Sequence, residues 1–134
     1  ILGSIVIFKI LDEKNNNLIS EKYIQAGLYL SLDQKEESIN LYQEIILSEH
    51  NFYSILALNK ILEKDLEPNK NKVLNHFEII EKLNLDNEQK DLIIFKKALY
   101  LIKASDKQEG NKLLNELIDR NSKFKILSEE ILSK

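Results

Sequence analysis

One spacing of small and large residues occurs twice in this sequence, and it limits the fold more than any other feature. Ala26 is followed twelve residues later by Ser38, and Tyr42 and Ile45 lie four and seven residues beyond that. Ala98, Gly110, Leu114 and Leu117 repeat the set at the same intervals, with Tyr29 and Leu101 in matching places. The physical reason for such a set is close packing. Two helices cross at short distance only where both side chains are small, and the large residues then lock into a neighbouring helix. The pattern therefore predicts helix hairpins.

The rest of the chain has room for little else. It holds 3 Gly and 1 Pro in 134 residues. Sandwiches and barrels need more turn residues than that, whereas long helices joined by short polar loops need few. After a polar break at residues 12–17, Leu18, Ile19, Tyr23, Ala26 and Leu30 recur at helical spacing, with Ser20 as the expected N-cap. Further helices are expected at about 35–48, 51–64, 68–83, 88–104, 106–119 and 123–133. Pro68 suits the first turn of the fourth of these. The last is expected to bury Phe124, Ile126, Leu127 and Ile131. Between the two matching hairpins, Val73, Phe77 and Ile80 supply a second-helix face, and Ile61 falls twelve residues before Val73, where the small residue belongs. The steps from Tyr42 to Phe77 and from Phe77 to Leu114 are 35 and 37 residues.

Hairpins that cannot bury both faces alone stack. The expected fold is thus all-α: a tetratricopeptide-like right-handed solenoid of about three helix hairpins plus a terminal helix. The usual Trp is missing, and His50 stands where a Pro is expected after the second helix. Two segments divide the chain: residues 1–14, and a helical-repeat domain over residues 15–134. Residues 1–11 are the most apolar stretch. They fall short of the ~20 residues that span a bilayer. They fit either the end of a spanning helix or a packed first helix.

Charge and side-chain chemistry exclude several function classes. The net charge is −3, and Arg120 is the one arginine among 19 basic residues. Lys and Glu alternate without a basic block, which argues against nucleic-acid binding. There is no Cys, so there is no thiolate nucleophile, disulfide or cysteine metal site. His50 and His76 are too few for a histidine metal centre and suit a loop or a helix surface. Gly27 and Gly110 suit close packing rather than a phosphate loop. The pairs Glu36–Glu37, Glu78–Glu81 and Glu129–Glu130 each share one helix face, so they do not oppose each other across a cleft. No catalytic residue, cofactor or metal is expected. The candidate partner groove lies on the far side of the first-type helices: Tyr23, Leu30, Phe95, Leu99 and Ile102, flanked by Lys103.

Local segments also resemble a family. Residues 21–27 (EKYIQAG), 39–42 (INLY) and 51–58 (NFYSILAL), and later residues 99–110, resemble the YfgM-type ancillary SecYEG translocon subunits. The resemblance implies a single-pass bacterial inner-membrane protein with a tetratricopeptide-like domain in the periplasm. Residues 1–11 would then be the end of the membrane helix. The implied partners are the SecYEG channel, periplasmic chaperones and exported chains, with no catalysis. The alternative is a soluble scaffold of assembly or cell division with the same fold and no anchor.

Overall fold

A computed structural model describes residues 2–134; Ile1, the first residue of the expected anchor segment, lies outside them. Every regular element among the described residues is α-helical. They are α1 (Leu2–Ser31), α2 (Lys35–Leu47), α3 (Asn51–Glu63), α4 (Lys70–Glu81), α5 (Asn87–Lys103), α6 (Lys107–Asp119) and α7 (Lys125–Leu132). Contacts divide the chain into two compact units, Ile1–Pro68 and Asn69–Lys134.

The first unit is built on the crossing of α1 and α2. Ala26 and Ser38 are both fully buried there. The Ser38 hydroxyl donates to the Ala26 carbonyl at 2.8 Å. A larger side chain at either place would separate the helices and strand that carbonyl. Tyr42, Ile45 and Ile46 fill the space beside the crossing. Helix α3 closes on α2 through a second small residue, Ser54, whose hydroxyl donates to the Ile45 carbonyl at 3.1 Å. Ala57, Leu58 and Ile61 complete this core.

The second unit repeats the first at a constant offset of 72 residues. Ala98 and Gly110 take the places of Ala26 and Ser38, and both are buried. A Cβ at Gly110 would stand 2.8 Å from the Ala98 carbonyl oxygen and 2.6 Å from Ile102 Cγ1, so only glycine fits. Leu114 and Leu117 are fully buried, as are their counterparts Tyr42 and Ile45. The turns correspond as well. Asp33 and Ser105 both have positive φ, 59° and 67°, as do Glu49 and Asn121, 60° and 52°. The Gln34 N–H donates to the Tyr29 carbonyl (2.9 Å), and the Asp106 N–H to the Leu101 carbonyl (2.8 Å). These are helix ends closed by a left-handed residue, a place usually filled by glycine. Here Asp, Glu, Ser and Asn fill it, which is how so glycine-poor a chain turns so tightly.

Four expectations need correction. The polar break at residues 12–17 is helical, and Ser20 lies inside α1 rather than capping it. No Gly or Pro interrupts residues 4–26, and a helix already nucleated by packing propagates through polar residues. Pro68 lies before α4, whose N-cap is Asn69, with Oδ1 accepting from the N–H groups of Asn71 and Lys72. The longer connection around it also shifts the middle register. The Leu66 N–H donates to the Ile61 carbonyl at 3.0 Å, so Ile61 corresponds to Tyr29 and Leu101, not to Ala26. Finally, Ile126 and Leu127 face outward on α7, and Ser128 is the buried residue. Ser128 Oγ bonds back to the Phe124 carbonyl at 2.7 Å.

Candidate partner-binding surfaces

The six expected groove residues divide between the two units. In the first, Tyr23 and Leu30 are half-buried on α1. Tyr23 is the centre of an aromatic cluster, with its ring centroid 5.8 Å from Tyr42 and 5.7 Å from Tyr53. In the second, Phe95, Leu99, Ile102 and Lys103 share one side of α5. Phe95 stacks on Phe124 at 5.2 Å and 20°. Ile102 presses against Gly110. Leu99, at 40% exposure, and Lys103 remain at the surface. The 72-residue offset relates Tyr23 to Phe95 and Leu30 to Ile102, so each unit presents a version of the same face. Much of that face is already engaged by the element that follows it.

A larger apolar surface lies elsewhere, on the first half of α1. Leu2, Ile5, Val6, Ile7, Phe8, Ile10 and Leu11 are each at least half exposed, Phe8 at 74%. They surround the helix instead of forming one stripe. Exposure on this scale marks a surface that another body covers. Buried positions on α1 begin only at Ile19 and Ala26. Among the described residues no helix is long and apolar enough to cross a membrane.

His50 ties the start of α3 to the middle of α1. It is the N-cap of α3, with its Nδ1 accepting from the N–H groups of Phe52 (3.2 Å) and Tyr53 (3.1 Å). Because Nδ1 accepts, Nε2 carries the proton and donates to Asn16 Oδ1 at 2.9 Å. Sequence reasoning misses this role because N-caps are ordinarily Ser, Thr, Asp or Asn. The other histidine, His76, is buried on α4 rather than at the surface.

In the second unit a groove of about 560 Å³ opens among α4, α5 and the start of α6. Leu74 and Leu101 are its apolar part, and Glu78, Glu81, Asp106 and Glu109 its acidic part. Ion pairs tie its sides together, Lys70 to Asp106 at 3.0 Å and Lys97 to Glu81 at 2.8 Å. Glu78 pairs with Lys82 at 3.6 Å along the same helix. The other acidic pairs, Glu36–Glu37 and Glu129–Glu130, are exposed. Among the described residues no three His, Asp or Glu side chains converge as metal ligands.

Burial, and the neighbouring Tyr23, push the Tyr42 phenol above its usual range, against a smaller opposing effect of its hydrogen bond with Ser38. Its place beside the Ala26–Ser38 crossing makes it a structural group. No family model, curated protein or solved structure matches the chain.

Proposed function

We propose that the chain is a non-enzymatic protein–protein interaction scaffold, built from stacked tetratricopeptide-like hairpins and held at the bacterial inner membrane by α1. Its domain faces the periplasm. It acts as an ancillary subunit of the Sec translocon, together with chaperones, on exported chains. The observation that carries this reading is the first half of α1, a helix apolar on every side that continues unbroken into the packed hairpin. A helix of that character is stable in water only when covered. An anchor raises the local concentration of the scaffold beside the channel, so weak grips on passing chains suffice. Leu99 and Lys103 on α5 remain open to make such grips.

Membrane fractionation of the native protein tests it, with protease added to intact and to opened cells. Resistance to carbonate extraction, with cleavage only after the outer membrane is opened, is the expected result. Extraction into a soluble cytoplasmic fraction would sink the anchored reading. A soluble assembly or division scaffold would then take its place, with the apolar half of α1 covered by a partner protein.

A further inference from the structure

We infer that the outer face of the second half of α1, centred on Leu28, is a docking site for an amphipathic helix of a partner protein. That helix carries basic residues at both ends and takes the place that α4 holds in the second unit. The face is separate from Leu99 and Lys103, and it is the same whatever covers the first half of α1.

The second unit supplies the template. Helix α4 covers one side of α5, with the Phe77 ring 6.1 Å from Tyr100 and with Leu74 beside the buried Leu101. The two helices run antiparallel. Lys70, at the start of α4, meets Asp106 just beyond the end of α5, and Glu81, at the end of α4, meets Lys97 in the middle of α5. The 72-residue offset carries Lys97, Tyr100, Leu101 and Ala104 onto Gln25, Leu28, Tyr29 and Leu32. There the cover is missing. Leu28 is 59% and Leu32 67% exposed, and Ile24, one turn earlier, is 60% exposed. The three form a ridge at i, i+4 and i+8, the spacing that seats in the groove of a crossing helix. A helix face left to water is ordinarily polar.

The charges at the two ends of the ridge define the occupant. Glu37 stands where Glu109 lines the groove of the second unit, and Glu21 lies one turn before Gln25. Both are exposed, and among the described residues neither forms an ion pair. A helix seated in the direction of α4 brings its first turn to Glu37 and its last to Glu21. The positive end of its dipole then also faces Glu37. An apolar ridge with a free carboxylate at each end selects a helix with an apolar stripe and basic ends. Helix α4 itself has the stripe (Val73, Phe77, Ile80) and the basic start (Lys70, Lys72), but carries Glu81 at its end.

Two fluorescein-labelled peptides are the probes: residues 69–83 of this chain, and the same peptide with Glu81→Lys. Each is titrated with the full chain and followed by anisotropy. The expected result is binding of both, several-fold tighter for the Glu81→Lys peptide. Leu28→Lys in the protein should weaken that binding about tenfold or more, the loss expected when a buried leucine is removed. Glu21→Lys should reverse the order of the two peptides. Leu28 and Glu21 are exposed, so unchanged urea midpoints should accompany both losses. Failure of both peptides to bind overturns the site. So does binding that Leu28→Lys leaves intact, as when a peptide displaces α4 from α5. A dimer of the chain alone that Leu28→Lys dissociates, seen by sedimentation, overturns it in favour of a second copy.

Discussion

Gly27 and Gly110 are both helical glycines, yet their surroundings give the same substitution opposite signs. A Cβ at Gly27 meets only the Tyr42 hydroxyl, 4.0 Å away, so the expected close-packing role does not hold there. Gly27→Ala should stabilise by about 0.5–1 kcal/mol, because alanine loses less backbone freedom in a helix. Gly110→Ala should destabilise by about 1–3 kcal/mol, since a backbone carbonyl at 2.8 Å cannot step aside without parting α5 from α6. Urea midpoints of the two variants check both signs, and a neutral Gly110→Ala would mean the crossing is misassigned. His50 gives a second test. His50→Ala removes the α3 cap and the bond to Asn16, while His50→Asn restores an acceptor for the cap alone. The alanine variant should be the less stable by about 1 kcal/mol in the same melts. At this scale the sequence was readable where a small residue stood opposite another small residue. It was opaque where a residue acted outside its type, as with His50 capping a helix or Glu49 holding a left-handed turn.

The helices were legible because apolar spacing dictates which face is buried, and all six expected after the first have ends within two residues of those observed. The fourth starts later than expected because the expected start was tied to Pro68 and not to the better cap, Asn69. Helix α1 escaped the same logic. Its first half has no buried face to generate a period, so the polar run at residues 12–17 looked like an end. Helix α7 misled in a different way, because its buried contact is the small Ser128 while two large apolar neighbours face outward. The contrast within α1 leads to a prediction about the element. None of residues 2–15 is buried, so deleting them should leave the urea midpoint of the rest nearly unchanged. Vesicle flotation by the same deletion should be lost. A large fall in the midpoint would show that the first half of α1 packs on the domain instead of on something outside it.

Across the whole chain, the 72-residue correspondence joins features that the sequence pattern showed with features it could not. The small–large sets repeat in the letters; the left-handed residues at 33 and 105, and at 49 and 121, repeat only in the backbone, because the side chains there differ. The residues expected to line one groove fall instead into two equivalent sets, Tyr23 with Leu30 and Phe95 with Ile102, 72 residues apart. What the letters did not carry was that Tyr53 and Phe124 from the following segments already lie against those faces. The repeated crossing also differs in chemistry between its two copies, and that difference should appear in the pH dependence of stability. In the first copy Tyr42 is buried beside Ser38 with its phenol raised above the ordinary 10.0; in the second the same place is Leu114, which does not ionise. A group whose folded pKa is raised contributes stability that is complete below its unfolded pKa and is lost as pH rises through the folded value. Stability should therefore not depend on this group below about pH 9, and should fall from about pH 10 upward as unfolded chains lose the phenolic proton that folded chains retain. Tyr42→Phe removes the proton from both states and should flatten that alkaline fall, at some loss of stability near neutrality from the missing bond to Ser38. Urea midpoints from about pH 8 to about pH 11, read beside tyrosinate absorbance, provide the check. An equal alkaline fall in the phenylalanine variant would place the sensitivity outside the Ala26–Ser38 crossing.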